Sequence, residues 1–207
     1  MVMTVKDLVV GYKANAPVAG PISLTVADGE MVLLKGPNGS GKTTFLKTVA
    51  GLLKPLSGTV YAPDAILIPT RIPKVKGFTV IEFIKTFLSF SAGYSIPSSR
   101  KIWPMSSGHN FSETGVVYPD ILEKMGISDL AERDISTLSD GQFQKVCLCP
   151  AVASGKKLIL LDEPTAFLDA DSRLNFMQFL QSLPVAVVFS THDLAVCEPF
   201  CTQVINF

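Results

Sequence analysis

Three short runs of the chain are almost entirely apolar. They are residues 65–69, 158–162 and 185–190. Continuous apolar runs of this length are typical of strands that are buried on both faces of a parallel sheet. Between the last two runs, apolar residues recur at helical spacing from Phe176 to Leu183, which predicts a helix. Strand, helix and strand in this order predict a parallel crossover unit, and hence an α/β core.

The N-terminal part of the chain shows a different pattern, in which apolar and polar residues alternate over 22–26. Asp28-Gly29 then interrupts the pattern, and an apolar run follows at 31–34. This arrangement predicts a hairpin of two strands. The second strand leads into a glycine-rich loop at 36–43, and apolar residues at helical spacing over 46–53 predict a helix after the loop.

The interval between residues 70 and 135 is predicted to be a helical insertion. Thr79 and Glu82 have the spacing of a capping box at the start of an apolar helix. A second short helix is predicted from about Pro119 to Gly126. Residues 91–115 are rich in Ser, Gly and Pro, so a loop is expected there.

The chain has 207 residues, a length that suits one domain with one substantial core. We therefore expect a single domain over 1–207, with residues 1–69 and 136–207 forming the core and 70–135 forming a helical lobe.

Composition and charge narrow the functional classes. Hydrophobic residues make up 47% of the chain, yet no run approaches the roughly 20 apolar residues that a membrane-spanning helix needs. Lys plus Arg and Asp plus Glu both number 18, so nothing in the net charge favours a nucleic acid as partner. The N-terminus lacks the features of an export signal, and a cytoplasmic location is expected.

The four cysteines are the remaining candidate metal ligands: Cys147, Cys149, Cys197 and Cys201. Their spacing does not match the common zinc motifs. We interpret them as small buried residues in a reducing compartment.

The segment "GPNGSGKTT", residues 36–44, matches the pattern of a phosphate-binding loop between a strand and a helix. Its glycines allow backbone N–H groups to approach phosphate oxygens at the N-terminus of the helix. Lys42 is predicted to reach the β- and γ-phosphates, and the Thr43 hydroxyl to ligate Mg²⁺. The alternative, a structural glycine turn, requires the Lys-Thr pair to be accidental.

Acidic residues follow the apolar run "LILLDEP", which ends a predicted strand. Asp162 is predicted to bind Mg²⁺, and Glu163 to act as the general base or to orient water at the γ-phosphate. His192 follows the next strand in "FSTHD", where its imidazole would contact the γ-phosphate. By themselves these residues are also compatible with solvated strand ends and a structural histidine.

Five motifs occur in a familiar order and spacing: the phosphate loop, "LSDGQ", "LILLDEP", "FLDA" and "STHD". Over nearly its whole length the sequence resembles the ATP-binding subunits of ABC transporters. The resemblance implies an α/β P-loop NTPase of ABC type. This fold has a mostly parallel core sheet, an N-terminal antiparallel β part and a helical insertion lobe.

The resemblance also implies residue roles. Tyr12 would stack on adenine, Asp169 would link two sites, and His192 would sense the γ-phosphate. The catalytic residues would be Lys42, Glu163 and His192, and Mg²⁺ would be held by Thr43 and Asp162. The residues implied to bind ATP are Tyr12, Gly36, Asn38, Gly39, Ser40, Gly41, Lys42, Thr43, Thr44, Ser139, Gly141, Gln142 and Asp169.

The segment "LSDGQ" explains why one chain carries two phosphate-handling turns. In the family that it resembles, two subunits close head to tail, and this segment of one subunit covers the γ-phosphate bound by the other. A homodimer or a pair with a related subunit is therefore implied. The bland interpretation, a capped helix N-terminus, also fits the segment alone.

The other partners are implied in the same way. They are transmembrane permease subunits, with a substrate-binding protein on the far side, and a peripheral location on the inner face of the cell membrane follows. "ERDISTLSDGQFQK" and "LLDEPTAFLD" are similar to importers of iron-siderophore, haem or cobalamin. Phe78 and Trp103 are candidate docking residues for a permease, although they could equally fill the core of the helical lobe.

The sequence departs from the family at three places. Thr70 stands where most relatives have Gln, and its shorter side chain would reach the metal only through water. Pro150 falls inside the helix after "LSDGQ", which predicts either a bent helix or a different register. The segment of residues 58–65 is shorter than the corresponding segment of relatives.

Two alternatives therefore stay open. One is a catalytically impaired ABC subunit, against which the presence of Lys42, Thr43, Asp162, Glu163 and His192 argues. The other is an ABC-type ATPase that acts on DNA or ribosomes. Its DNA-repair form needs a coiled-coil insertion, and the interval from Thr43 to Leu138 contains no heptads. A kinase or GTPase with the same phosphate loop would have no use for "LSDGQ".

Overall fold

A computed structural model describes residues 1–13, 15–70, 72–91, 118–153 and 155–207. Backbone contacts divide the chain into two compact units. The first comprises Met1–Pro73 with Gly155–Phe207, and the second comprises Lys74–Ser154. The second unit extends beyond the predicted lobe at 70–135, because the helix after "LSDGQ" packs with the inserted helices.

The elements of the first unit are mainly strands. In chain order its elements are β1 (Met3–Lys13), β2 (Ala16–Val26), β3 (Met31–Lys35), α1 (Lys42–Val49), β4 (Ser57–Tyr61), β5 (Ala65–Ile68), β6 (Leu158–Asp162), α5 (Ala170–Ser182), β7 (Ala186–Ser190), α6 (Leu194–Cys197) and β8 (Gln203–Asn206). The second unit contains α2 (Val80–Ser91), α3 (Tyr118–Lys124) and α4 (Asp140–Ala153).

The strands form two sheets in the first unit. An antiparallel sheet has the order β2-β1-β4, and a five-stranded sheet has the order β5-β6-β7-β3-β8. Every neighbouring pair in the larger sheet is parallel. The predicted α/β fold is confirmed, and all three predicted strands are present, with α5 as the crossover from β6 to β7. Strands β6 and β7 are buried at every position, whereas β5 lies at the edge of the sheet and only its Ile68 is buried.

The predicted hairpin of residues 22–34 is wrong. Both strands exist, but β2 pairs with β1 in the antiparallel sheet, whereas β3 lies between β7 and β8 in the parallel sheet. Residues 31–34 are buried at every position. A strand that is apolar on both faces is stable only inside a covered sheet, so β3 leaves its sequence neighbour.

The core of the first unit lies against one face of the parallel sheet. Alternate residues of that face, such as Leu34, Leu160 and Val188, pack with Phe45 of α1 and with Leu8 of β1. Since α1 is buried in this way, the loop between β3 and α1 is fixed at the carboxyl edge of the sheet. The carboxyl ends of β6 and β7 meet at the same edge.

The second unit confirms two sequence-based predictions. Thr79 N donates to Glu82 Oε2 at 2.9 Å and Glu82 N donates to Thr79 Oγ1 at 3.2 Å, so the capping box is present at the start of α2. The second predicted helix is α3. Most of the predicted loop at 91–115, including Trp103, lies outside the described residues.

Helix α4 contains Pro150, since the helix continues through this residue to Ala153. Pro150 is buried and lies in the last turn of the helix, where its missing N–H removes one hydrogen bond. Phe83 of α2 lies against Phe143 of α4, with ring centroids 5.7 Å apart. Phe78 is partly buried in this unit.

Within the described part of the chain, no helix combines the length and the apolar character needed to cross a membrane.

Candidate nucleotide-binding site

The loop between β3 and α1 has a backbone shape that its sequence makes possible. Gly41 has a φ of 101° directly before α1, and a Cβ at this position would lie 2.7 Å from Ala19 Cβ. Residues with a side chain rarely adopt this backbone conformation, so glycine is required here. The loop therefore turns sharply, and the first N–H groups of α1 are left for an external acceptor.

Two side chains of this loop are suited to an anion. Lys42 is 6% exposed, and its Nζ donates to Gly36 O at 2.7 Å and to Pro37 O at 2.9 Å. The hydroxyl of Ser40 is buried and has no hydrogen-bond partner among the described residues. Buried hydroxyls are normally paired, so this one fits a ligand that brings its own oxygens, such as a phosphate chain.

Thr43 and Asp162 form a possible magnesium site. The Thr43 hydroxyl donates to both carboxylate oxygens of Asp162 at 3.0 Å, and Ser190 Oγ donates to Asp162 Oδ1 at 2.9 Å. A hydroxyl and a carboxylate beside a phosphate loop are the oxygen ligands that Mg²⁺ prefers. The residues present therefore fit the metal, which would be held by Thr43 and Asp162.

Glu163 and His192 meet at the end of neighbouring strands. Glu163 Oε1 lies 3.1 Å from His192 Nε2. Glu163 has a φ of 51°, and its N–H contacts both Ser190 O at 3.2 Å and Ser190 Oγ at 3.1 Å. A positive φ is unusual for a residue with a side chain, and such conformations are held by their surroundings. Ser190 thus fixes both acidic residues after β6.

These groups line one cavity of about 610 Å³ in the first unit, a size typical of small-molecule sites. The predicted residues that line it are Tyr12, Asn38, Gly39, Ser40, Gly41, Lys42, Thr43, Thr44, Thr70, Asp162, Glu163 and His192. Val18, Ala166 and Phe167 complete the lining. Tyr12 is 61% exposed, and its hydroxyl accepts from Thr44 Oγ1 at 3.5 Å.

Comparison with known proteins identifies the family of this chain. The family model described as ABC transporter matches residues 19–166. The chain belongs to the ABC transporter family. This is a family of ATPases that drive transport, so the expectation of an ATPase is confirmed. The binding of ATP is supported in the same way.

Two curated relatives and one solved structure illustrate the similarity. The ATP-binding protein of a high-affinity zinc uptake system from Bacillus subtilis is 33% identical, and the match covers 99% of this chain and 90% of that protein. A cobalamin import ATP-binding protein from Halobacterium salinarum is 27% identical, covering 93% of this chain and 49% of that protein. A solved ATP-binding subunit of an ABC transporter has a TM-score of 0.71 at 26% identity, and the match covers 100% of this chain and 86% of that chain.

These relatives carry names that refer to zinc and to cobalamin. They do not single out the iron-siderophore, haem and cobalamin group that the resemblance had implied.

Asp169 does not line the cavity of this ABC ATPase. Its carboxylate caps α5 by accepting from Ser172 N at 2.8 Å and from Ser172 Oγ at 3.0 Å. These hydrogen bonds hold the pKa of Asp169 below its usual value. The side chain is exposed, so the capped helix presents a charged carboxylate to solvent. Gly36 contributes its carbonyl to Lys42 but does not line the cavity.

The signature segment, Leu138–Gln142, lies in the second unit. Ser139 N donates to Gln142 Oε1 at 3.1 Å, and Gln142 N donates to Ser139 Oγ at 3.2 Å. This is a second capping box, made by Ser and Gln, at the start of α4. Ser139, Gly141 and Gln142 are therefore part of one rigid turn, and Ser139 is exposed.

Sequence reasoning missed Ser190 and a link between the turns after β6 and β7. Arg173 Nε donates to Leu168 O at 2.8 Å, and its Nη1 donates to Asp193 Oδ2 at 2.5 Å. Arg173 thus joins the turn beside Asp169 to the residue after His192. Ser190 could have been found as the polar end of an apolar strand. The sequence carries no signal for the Arg173 contact.

Three of the four cysteines are buried, namely Cys147, Cys149 and Cys197. Burial raises the pKa of Cys149 to about 12 and that of Cys197 to about 11. Thiols of this kind stay protonated at neutral pH, which agrees with their interpretation as small core residues.

Proposed function

We propose that this protein is the ATP-binding and hydrolysing motor subunit of a membrane importer. One observation carries the proposal. Lys42 of the phosphate loop, the Thr43–Asp162 pair and the Glu163–His192 pair line a single cavity. A structural glycine turn would not bring a buried lysine, an oxygen-ligand pair and a carboxylate–imidazole pair together. A catalytically impaired subunit would not be expected to keep all five.

The chemistry follows from the position of each group. The ammonium of Lys42 and the N–H groups of the loop would bind the phosphate oxygens and offset their charge. When Mg²⁺ is bound by Thr43 and Asp162, it supplies positive charge to the same oxygens. Glu163 would accept the proton of the attacking water, and His192 would hold the γ-phosphate and orient the carboxylate of Glu163.

Hydrolysis is proposed to require two subunits. The signature segment offers the Ser139 hydroxyl and the N-terminus of α4, which suit an anion. The resemblance implies a head-to-tail pair, in which each signature segment covers the nucleotide bound by the other subunit. Asp169 would act at the contact between the two.

The transporter partners and the cargo also belong to this proposal. Permease subunits would bind the second unit from the inner face of the membrane, with a substrate-binding protein opposite for uptake. The relatives carry names that refer to zinc, to cobalamin and to sulfate or thiosulfate, so their names do not select one class of cargo. Iron-siderophore, haem, cobalamin, zinc and sulfate are therefore all cargoes to test.

The test of the motor function is the solution mass of Glu163→Gln with and without Mg-ATP. This change keeps the shape of Glu163 but removes the base, so ATP should bind without being hydrolysed. We expect the mass to double only with ATP. The double variant Lys42→Ala/Glu163→Gln should stay monomeric, and Glu132→Gln on the surface should hydrolyse ATP normally. An ATP-bound protein that stays monomeric would refute pairing by the subunit alone.

The test of the permease contact uses Phe78. Phe78→Glu should abolish co-purification with native membranes and leave ATP binding unchanged. Val75→Glu is the matched control, because Val75 is 40% exposed in the same segment. Unchanged co-purification of Phe78→Glu would show that Phe78 fills the lobe instead.

A further inference from the structure

The signature segment contains an acidic residue where an anion is to bind. Asp140 directly follows Ser139, and its side chain is 54% exposed. A carboxylate repels a phosphate chain, and this repulsion is strongest where water is excluded between two surfaces. The segment would therefore bind a triphosphate poorly if the charge of Asp140 were not offset.

Lys74 provides a positive charge at this point. Its Nζ lies 2.6 Å from Asp140 Oδ1 and donates to Leu138 O at 2.8 Å. The same ammonium lies 5.5 Å from the centre of the Phe143 ring. Leu138 and Asp140 flank Ser139 in the chain, so one lysine holds the backbone before Ser139 and the side chain after it.

The Lys74 side chain is 27% exposed. Its contacts lie 64 and 66 residues away in sequence. No local motif places it there, and the ring of Phe143 restricts where the ammonium can go. The tertiary fold of the second unit therefore places Lys74 beside the signature segment.

We propose that Lys74 is a positioning residue of the signature segment. It neutralises Asp140 and so allows Ser139 to receive the γ-phosphate bound by a second subunit. The inference rests on the proposed function, in which the segment acts on the nucleotide of the partner subunit. It adds a residue outside the five motifs to the machinery of pairing.

Stability and pairing should respond differently to the loss of Lys74. A partly exposed ion pair contributes little to folding, because solvent screens it in the single subunit. In the closed pair the same charge faces a triphosphate with less water between them, and mismatched charges are costly there. A merely structural lysine would change the unfolding midpoint, whereas a positioning lysine changes pairing.

The experiment measures the ATP concentration for half-maximal pairing in the Glu163→Gln background. Lys74→Met should raise it about tenfold. Asp140→Asn should not raise it, and Lys74→Met/Asp140→Asn should return to within about twofold of the reference, since the repelling charge is gone. Lys76→Met is the matched control, two residues away, and should match the reference. Urea midpoints should agree among all variants.

Four results would overturn the inference. Lys74→Met could pair as well as Lys76→Met, or the double variant could pair as poorly as Lys74→Met. A fall in the urea midpoint that accounts for the lost pairing would assign Lys74 a structural role. If the Glu163→Gln reference itself fails to pair, pairing by the subunit alone is refuted and this inference fails with it. That result is distinguishable, because it appears before any change at Lys74.

Discussion

The hydroxyl of Thr43 lies 3.0 Å from both carboxylate oxygens of Asp162, although 119 residues separate them in sequence. Thr43 lies in the first turn of α1 and Asp162 ends β6, so the parallel sheet and the burial of α1 bring them together. Their oxygens face the cavity that is lined by Lys42 and Glu163. We therefore expect the dependence of ATP binding on Mg²⁺ to be determined by this pair.

Thr43→Val is expected to abolish the effect of Mg²⁺ on ATP binding. Valine keeps the shape of threonine but has no oxygen, and a bond to a charged group contributes about 1.5–3 kcal/mol, so affinity for Mg-ATP should fall at least about tenfold. Titration with a fluorescent ATP analogue, with Mg²⁺ and with EDTA, measures this. Thr43→Ser keeps the hydroxyl and should bind normally. Equal Mg²⁺ dependence in the Val variant would contradict the assignment.

His192→Ala is expected to lower the rate of ATP hydrolysis by about 100-fold, because a positioned general base contributes at least that much and Glu163 would lose the imidazole that orients it. ATP binding should stay within a few-fold of the original, since Lys42 and the loop are unchanged. Steady-state release of phosphate separates the two effects. The other histidine of the chain gives the control His109→Ala, which should be fully active. A matching loss in both variants would argue against a role for the contact of His192 with Glu163.

Pro150→Ala is expected to stabilise the protein. Alanine restores the N–H that the helix lacks and removes a residue that costs about 3 kcal/mol in a helix interior. Because Pro150 is buried, part of this gain is lost with the contacts of the ring, and we expect about 1–2 kcal/mol. Urea unfolding at equal slope measures the change. A lower urea midpoint would mean that the packing contacts of the proline ring stabilise the protein by more than the missing hydrogen bond destabilises the helix.

The raised pKa values of the cysteine thiols predict that the protein loses stability at alkaline pH. Burial raises the pKa of Cys149 and of Cys201 to about 12, and that of Cys197 to about 11, from an ordinary value of 9.0. The unfolded chain therefore loses these protons first as the pH rises. The stabilisation is complete below pH 9.0, declines above it and is lost by about pH 12.

Thiol labelling checks this prediction. At pH 8 the folded protein should react with a thiol reagent far more slowly than the protein in urea, and the folded rate should rise above about pH 11. Cys201→Ser serves as the control, because Cys201 is the partly exposed thiol and its removal isolates the buried three. Rapid labelling of all thiols at pH 8 would contradict burial as the cause.

Much of this protein could be predicted from the local chemistry of its sequence. The glycine loop needs Gly41 for its backbone shape, and the predicted capping box joins Thr79 and Glu82, three positions apart in the chain. The buried strands were readable because parallel strands are apolar at every position. Charge balance, the phosphate loop and the acidic strand end likewise depend on neighbouring residues.

Contacts between distant segments were decided by the tertiary structure. The hairpin prediction failed because pairing depends on which sheet can cover both faces of β3, and adjacent residues carry no record of that. Ser190 reached Asp162, and Lys74 reached Asp140, through packing of elements that lie far apart in the chain. The sequence by itself determined the phosphate-loop motif and the acidic end of a core strand, and the fold decided which distant residues lie against them, because burial is a property of the whole chain.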